Sequence, residues 1–218
     1  MCKSRLAALT ITTVLTSLTV YAQEEYTRFK SEASVQALGS FVKQTTQHAV
    51  DQGASDSAGV LATYRYYFSR HHGVEANYSW TSNTQNYTGF GVDTNSHEIS
   101  AAYVFRMPMK RWSPFVLAGA GALVFDPNSA GAFIGVPSGG VYHGPVLPAG
   151  AGLVPSTQTR AALVYGAGAD INLTSHLFVR GEYRGLIYNS PTYDLAGLNG
   201  MDRVTHRAEP SIGLGWRF

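Results

Sequence analysis

Charged side chains at alternate positions are the residues of this chain that could do chemistry. Arginines and carboxylates recur two residues apart in several segments, and the residues between them are mostly apolar. Alternation with a period of two places the charges of each segment on one face of a β-strand. If these faces line a narrow barrel, the charges must pair, because an unpaired buried charge is costly. The positions assigned to the interior are Arg65, Glu75, Glu98, Arg106, Arg160, Asp170, Arg180, Glu182, Arg184, Arg207, Glu209 and Arg217.

These seven arginines and five carboxylates have two interpretations. The excess of two positive charges is compatible with a polar gate or a narrow path that favours anions. The alternative is a plugged, ion-paired interior that keeps the barrel rigid. The width of an eight-stranded barrel favours this plug, because side chains just fill its interior. Small residues are expected to leave room for the arginines, and they are Ala118, Ala120, Ala122, Gly166 and Gly168.

Hairpin geometry predicts three of the ion pairs. Long side chains reach diagonal neighbours across an antiparallel pair of strands. With the turn at 69–73 centred between its strands, Arg65 lies opposite Asn77 and diagonal to Glu75. The other two expected pairs are Asp170 with Arg180, also diagonal, and Glu209 with Arg184.

Eight predicted strands must position these charges. Their approximate ranges are 33–42, 59–68, 74–81, 97–106, 114–125, 159–171, 177–188 and 205–218. The last strand alternates most informatively, with Ala208, Pro210, Ile212, Leu214, Trp216 and Phe218 on its apolar face. Small apolar residues occupy both faces of the fifth strand, so alternation gives no direction there.

The connections between these strands alternate between short and long. The short ones lie near 69–73, 107–113 and 172–176, and the long ones near 43–58, 82–96, 126–158 and 189–204. Short periplasmic turns and long external loops are typical of outer-membrane barrels. Two interfacial girdles are predicted from Tyr66, Phe68, Trp80, Phe105, Trp112, Phe115, Tyr188, Trp216 and Phe218. A soluble, lipocalin-like barrel is the alternative, and it would hold its apolar residues inside.

The amino terminus agrees with export. Lys3 and Arg5 precede a charge-free apolar run at 6–20, which ends in residues that suit a signal peptidase. This run is shorter than the roughly 20 residues of a spanning helix. We therefore expect a cleaved signal peptide at 1–22 and a single barrel domain at 23–218. Without Lys3 and Arg5, fourteen basic residues balance fourteen acidic ones, which argues against a polybasic nucleic-acid surface.

Composition favours strands over helices as the membrane-spanning elements. Charged residues make up 14% of the chain, compared with about 25% in soluble domains. No later apolar run has the length of a transmembrane helix. A closed sheet of alternating strands pairs every backbone group within the bilayer.

The chain resembles the OmpA/OmpX-type small outer-membrane barrels of Gram-negative bacteria. The resemblance rests on Pro114–Gly121, Tyr165–Asp170 and Val179–Arg184 and extends over the mature chain. It implies an all-β fold: an eight-stranded antiparallel up-and-down transmembrane β-barrel with short periplasmic turns and long extracellular loops. Such barrels serve as anchors, adhesins, enzymes or pores, so the resemblance indicates fold better than function. It also implies a signal for the outer-membrane assembly machinery at Ile212, Leu214, Trp216 and Phe218.

Sequence motifs for catalysis are not found. The chain has neither the His-x-Ser pair of lipid A deacylases nor the adjacent aspartates of omptin-type proteases. His71 and His72 could hold a metal ion or a lipid phosphate, although histidines in a tight turn are more often solvated. Gly119-Ala-Gly121 and Gly166-Ala-Gly168 resemble dinucleotide-loop fragments, but no helix follows them. We expect no enzyme activity, no cofactor and no metal.

The connection at 126–158 differs from the others. It contains seven glycines and five prolines, and Asp126 is its single charged residue. Loops of this length are usually functional or disordered. It could be a flexible flap, a lid over the barrel mouth, or a surface that binds a partner or lipopolysaccharide. The connections at 44–57 and 82–96 are polar and resemble surface-exposed recognition loops.

These features together predict a monomeric, integral outer-membrane protein of the cell envelope that acts as a scaffold and displays surface loops. A narrow, porin-like channel for small solutes is the second hypothesis, and a lipid-modifying enzyme is the third. The expected partners are outer-membrane lipids, lipopolysaccharide and the assembly machinery, and no nucleic acid.

Overall fold

The described part of the chain consists of antiparallel strands joined by turns. The computed structural model describes residues 29–43, 45–47, 50–87, 90–128, 156–193 and 203–218. The strands are β1 (Ser31–Val42), β2 (Thr45–Gln47), β3 (Val50–Ala54), β4 (Ser57–Tyr67), β5 (His72–Tyr87), β6 (Phe90–Arg106), β7 (Trp112–Pro127), β8 (Gln158–Asn172), β9 (Leu177–Asn189) and β10 (Val204–Arg217). Within these ranges, no helix is long and apolar enough to cross a membrane. The predicted signal peptide at 1–22 and most of the connection at 126–158 lie outside the described residues.

Eight of the strands close into a barrel. Hydrogen-bonded neighbours follow the order β1-β4-β5-β6-β7-β8-β9-β10, and β10 pairs back with β1. The closing pair extends from Glu32 opposite Arg217 to Val42 opposite Arg207. This confirms the predicted eight-stranded antiparallel barrel. Its closure lets each strand pair on both sides, as an apolar solvent requires.

The two faces of the barrel wall are inverted relative to a soluble protein. Apolar side chains point outward, and Ile99 and Ile212 each keep 64% of their surface exposed. Charged side chains point inward, and Arg65 and Arg180 are fully buried. The lipocalin-like alternative, with apolar residues inside and charges outside, is therefore wrong.

The larger side chains of β7 define its inward face. The inward positions are Phe115, Leu117, Gly119, Gly121, Leu123 and Phe125. Ala118, Ala120 and Ala122 therefore face outward, and the expectation that they leave room in the interior is wrong. Gly166 and Gly168 on β8 do face inward.

Most of the predicted girdle aromatics lie on the outer face. The exposed ones are Tyr66, Phe68, Trp80, Trp112, Trp216 and Phe218, and Phe105 is half-buried. The prediction is wrong for Phe115 and Tyr188, which both point inward and are only 3% exposed. Phe115 fits inside because its ring lies over Gly168, which has no side chain. Tyr188 packs against Phe125, with the ring centroids 5.7 Å apart.

The barrel has a turn end and a loop end. The turn end carries the short turns 68–71, 107–111 and 173–176. At the loop end, the first long connection contains the hairpin of β2 and β3, and β3 pairs with the end of β5. The segment 82–96 is not a loop as predicted, because β5 and β6 stay paired as far as Tyr87 and Phe90.

Polar composition does not prevent this ribbon of β5 and β6 from forming. Threonine and tyrosine favour strands, and the inward amides of Asn83 and Gln85 hydrogen-bond to each other at 2.9 Å. The polar residues of this segment therefore extend the barrel wall beyond its apolar belt.

Two glycines on opposite faces of the wall differ in the space around them. A Cβ at Gly168 would lie 2.5 Å from both the carbonyl oxygen of Gly181 and the Cζ of Phe115. A Cβ at Gly181 would have nothing within 4 Å. The packing of Phe115 thus requires a glycine at 168 but makes no such demand at 181.

Gly168→Ala is expected to lower the free energy of unfolding by about 1–3 kcal/mol, because the added methyl group overlaps backbone and ring atoms. Gly181→Ala adds the same group in open space. It is expected to be neutral or to stabilise by about 0.4–1 kcal/mol. Urea unfolding of the barrel in lipid vesicles, followed by tryptophan fluorescence, measures both. Equal stabilities of the two variants would contradict the inward packing of Phe115.

Candidate functional site

The interior near the turn end is organised around the carboxylate of Glu32. It accepts hydrogen bonds from Arg106 Nη1 and Arg217 Nε at 2.8 Å each, and from Arg180 Nη2 at 3.0 Å. Arg106 reaches Glu32 across the interior, because β6 is not a neighbour of β1. One buried carboxylate therefore connects β1 with three other strands.

Two hairpin ion pairs complete this network. Arg65 donates to Glu75 Oε2 from Nε at 2.9 Å and from Nη2 at 2.6 Å. Arg180 donates to the two oxygens of Asp170 at 2.7 and 2.9 Å. Both pairs are directly opposite in register, so the predicted diagonal placement is wrong. The residue opposite Asn77 is not Arg65 but Thr63, because each hairpin is centred one residue away from the expected position.

Aromatic rings cover the arginines of this network. The guanidinium-to-centroid distances are 3.6 Å for Arg106 over Tyr67, 4.1 Å for Arg65 over Phe115, 4.6 Å for Arg217 over Phe178 and 4.9 Å for Arg180 over Phe178. A desolvated cation over a ring gains up to about 2 kcal/mol. The rings therefore fill the space between the charges and also stabilise them.

The middle of the interior is centred on Arg184. It donates a short hydrogen bond to Glu98 and lies 3.8 Å from oxygens of both Glu182 and Glu209. Arg207 lies 3.6 Å from Glu209. β6 and β9 are not neighbours, so the bond between Arg184 and Glu98 crosses the interior. Arg184 and Glu209 are opposite each other in register and in contact at ion-pair distance.

Apolar side chains fill the interior at the loop end. They are Val92, Leu123, Phe125, Leu186, Tyr188 and Tyr193. Tyr193, just after β9, is fully buried. The Tyr193 hydroxyl shares a hydrogen bond of 2.8 Å with Thr94 Oγ1, and its carbonyl accepts one of 3.2 Å from the Ser156 N–H. Burial raises the pKa of the Tyr193 hydroxyl, so the group stays neutral.

The backbone of Tyr193 is strained. Its φ of 52° lies in the left-handed region, which costs a residue other than glycine about 1–3 kcal/mol. Residues 190–193, which we call the mouth segment, must therefore be held by the contacts around them. The neighbouring Thr192 N–H donates to Gln158 Oε1 at 2.9 Å. These bonds seat Tyr193 in the barrel mouth.

Eleven of the twelve predicted charges are buried in the interior, and Arg160 is the exception. Arg160 is half-buried at the loop end. Its Nη2 lies 3.3 Å from Gln158 Oε1 and 3.4 Å from Thr192 Oγ1. These two contacts support the mouth segment.

Two interior residues, Glu32 and Tyr193, are not indicated by the alternation of the sequence. Glu32 has the inward parity but lies one residue before the predicted start of the first strand at Ala33, so a longer strand would have included it. Tyr193 lies in a segment without alternation, and no sequence signal indicates its position. Among the described residues of the interior, six arginines now face six carboxylates. The buried charges of the described interior therefore balance, and the positive excess that suggested an anion path is not found among them.

Histidines at the turn end belong to the packing of the wall. Burial and the neighbouring Arg70 lower the pKa of His71, which favours its neutral form. The ring of His71 stacks on Phe105 with centroids 6.1 Å apart, and His72 hydrogen-bonds to the hydroxyl of Tyr103. Within the described ranges, no three His, Cys, Asp or Glu side chains are grouped so as to hold a metal ion.

The residues of the predicted assembly signal share one face of the wall. Ile212, Leu214 and Trp216 lie on the outer face of β10, Phe218 follows directly, and all four are exposed. They form an apolar edge at the turn end, on the strand that closes the barrel.

The sequence matches the model of a protein family described as outer membrane protein beta-barrel domain, over residues 10–218. The chain belongs to this outer-membrane β-barrel family. It is an integral outer-membrane protein. Short turns of such barrels are periplasmic, so the turn end is the periplasmic end and the loop end is the extracellular end.

Solved structures of other outer-membrane barrels share this fold. Neisserial surface protein A is 12% identical with a TM-score of 0.60, and the match covers 86% of this chain and 97% of that one. OprG from Pseudomonas aeruginosa is 15% identical with a TM-score of 0.55, over 87% of this chain and 96% of that one. The attachment invasion locus protein Ail of Yersinia pestis is 19% identical with a TM-score of 0.49, over 87% and 99%. Among curated proteins, no sequence matches this one.

Glu32→Gln removes the charge that three arginines of the outer-membrane barrel share. Loss of one partner from a buried ion network costs about 3–5 kcal/mol, so the free energy of unfolding in lipid vesicles should fall by this amount. Asp126→Asn is the control, because Asp126 is exposed and accepts a hydrogen bond from Thr157 at 2.9 Å. Its effect should stay within about 0.5 kcal/mol. Similar small losses in both variants would mean that Glu32 is not central to stability.

Proposed function

We propose that this outer-membrane barrel is a membrane-embedded scaffold with a closed interior, and that it acts through the structures at its extracellular end. The observation that carries the proposal is the filling of the interior. Ion pairs and rings occupy the periplasmic part, a second ion cluster occupies the middle, and apolar side chains with Tyr193 occupy the mouth.

Contacts that cross the lumen support a scaffold rather than a pore. They are Arg106 with Glu32, Arg184 with Glu98, and Arg207 with Ser96 at 3.2 Å. Each contact joins strands that are not neighbours in the wall. A path for solutes would have to separate them at several levels and leave buried charges unpaired, which is strongly unfavourable.

The extracellular end offers polar structure for interactions. On the outer face of β5, Tyr78 and Trp80 are followed by Ser82, Thr84 and Asn86, so the wall leaves the hydrocarbon at this level. The β2–β3 hairpin and the β5–β6 ribbon both extend from this end. A rigid barrel that carries such extensions suits recognition at the cell surface.

The partners in this proposal are those of a membrane scaffold. Outer-membrane lipids and lipopolysaccharide contact the apolar wall. The assembly machinery recognises the edge formed by Ile212, Leu214, Trp216 and Phe218. The barrel acts as a monomer, and its role involves no catalysis, cofactor or nucleic acid.

A planar lipid bilayer that contains the folded protein is expected to stay electrically silent. Arg184→Ala and Arg207→Ala should be silent too, because each removes only one of several contacts across the lumen. Single-channel recording measures this, and a heat-dependent gel shift verifies folding. Discrete, salt-dependent current steps whose size changes in either variant would instead establish a narrow pore.

A peptide epitope inserted between Thr88 and Gly89, in the connection of β5 with β6, is expected to be reached by antibody on intact bacteria. The matched insertion between Met109 and Lys110, in a periplasmic turn, should be labelled only after permeabilisation. Flow cytometry with and without permeabilisation compares them. The opposite pattern would orient the ribbon toward the periplasm and remove the basis of the proposed role.

A further inference from the structure

The outer wall contains an apolar groove of about 580 Å³ on five adjacent strands, β9, β10, β1, β4 and β5. Its lining includes Ala33, Ala62 and Ala76 beside the larger Tyr64, Tyr78 and Trp216. The three alanines each contribute only a methyl group, and the aromatic residues stand next to them on the same face. The result is a concave strip on a wall that faces lipid hydrocarbon.

This groove lies in the periplasmic half of the barrel. Ala33 is close to the start of β1, and Trp216 is close to the end of β10. The Trp216 ring stacks on the imidazole of His176, with centroids 5.2 Å apart. The hydroxyl of Tyr64 is hydrogen-bonded to Ser31 Oγ at 3.1 Å. Polar groups therefore begin where the groove meets the periplasmic rim.

At the described positions of the periplasmic rim, the ionisable side chains are all Lys, Arg or His. They are Lys30, Arg70, His71, Lys110, Arg111 and His176, from the ranges 29–30, 68–71, 107–111 and 173–176, which contain no acidic residue. The nearest acids of the interior, such as Glu32 and Asp170, are buried and paired with arginines. A basic rim at a bilayer surface attracts anionic headgroups.

We propose that the groove binds one acyl chain of an anionic phospholipid from the periplasmic leaflet, with the lipid phosphate at Lys30 and His176. Lipid chains are as apolar as the wall, so the hydrophobic effect gives no preference for the groove. Retention comes from the fit of one chain against the alanines, together with the attraction of the phosphate to the basic rim. Lys30 is exposed and directly precedes Ser31, at the level of the groove's polar end.

A flexible chain fits this surface better than a second barrel does. The outer wall of another copy is convex, whereas the alanines lie recessed between larger aromatic side chains. Association of two copies is therefore the competing outcome that the experiment must separate from lipid binding.

Native mass spectrometry of the folded protein tests the proposal, with micelles that contain equal amounts of phosphatidylglycerol and phosphatidylethanolamine. We expect one retained phospholipid per barrel, with phosphatidylglycerol favoured about five-fold, the size expected for one basic residue near a lipid surface. Ala62→Phe fills the groove and should reduce retention at least five-fold. Ala167→Phe adds the same ring to the exposed outer face of β8 and should not. Lys30→Gln should remove the preference for phosphatidylglycerol, whereas Lys110→Gln on a distant turn should keep it.

A second measurement does not depend on a substitution in the groove. The chain has three tryptophans, so Trp80 and Trp112 can be replaced by Phe to leave Trp216 as the reporter. Trace brominated phosphatidylglycerol in vesicles should quench Trp216 with saturation. A chain in which only Trp112 remains should be quenched in linear proportion to the brominated lipid. Linear quenching at Trp216, retention unchanged by Ala62→Phe, or a protein dimer that Ala62→Phe abolishes would each overturn the proposal.

Discussion

The need to pair every backbone N–H and C=O in hydrocarbon is the constraint on which this structure depends. β1 and β10 are the first and last barrel strands, and each pairs the backbone groups at the other's free edge. Their register is fixed by alternation, because a shift of one residue would turn the charges of either strand into the lipid. The same register brings Glu32 opposite Arg217. Closure of the backbone thus assembles the ion network at the periplasmic end.

The charged side chains lie in the interior because the outer face of the barrel lies in the hydrocarbon of the membrane. In a soluble protein the apolar residues would fill the core. In this barrel the apolar residues face the membrane, and the charged residues occupy the narrow lumen. Buried ion pairs roughly balance their desolvation only when their geometry is good. Glu32 and Asp170 meet this condition, since they accept three and two hydrogen bonds, respectively, at 2.7–3.0 Å. The middle cluster is looser, since Glu182 and Glu209 lie 3.6–4.0 Å from their arginines.

Sequence alternation predicted the strand number and the inward charges, because both follow from a period of two. Alternation does not predict the direction of a side chain where the chain departs from this period, or where both faces of a strand carry similar residues. The small residues of β7 are one case, because they occupy both faces of the strand and alternation therefore does not show which face is inward. Tyr193 is another, because a side chain that folds back from the end of a strand leaves no periodic trace.

Two further differences concern register and length. A shift of the hairpin centre by one residue changes which side chains lie opposite each other. The composition of the turn at 69–73 does not determine this centre, so the direct pairing of Arg65 with Glu75 could not be predicted. The polarity of the segment 82–96 predicts a loop, but the segment is a pair of strands. Polar residues are compatible with a strand once the strand has left the hydrocarbon, so composition alone cannot mark where pairing ends.

Glu32 also bears on how the barrel forms. Its three arginine partners lie 74, 148 and 185 positions away along the chain. Contacts of such long range form late, because a large loop must close first. Until the first and last strands meet, these arginines lack the Glu32 carboxylate, and a charge inside the membrane without its partner is costly. A partly inserted sheet that is still open would therefore hold unpaired charges within the membrane, which is energetically unfavourable. This favours insertion and closure in a single cooperative step.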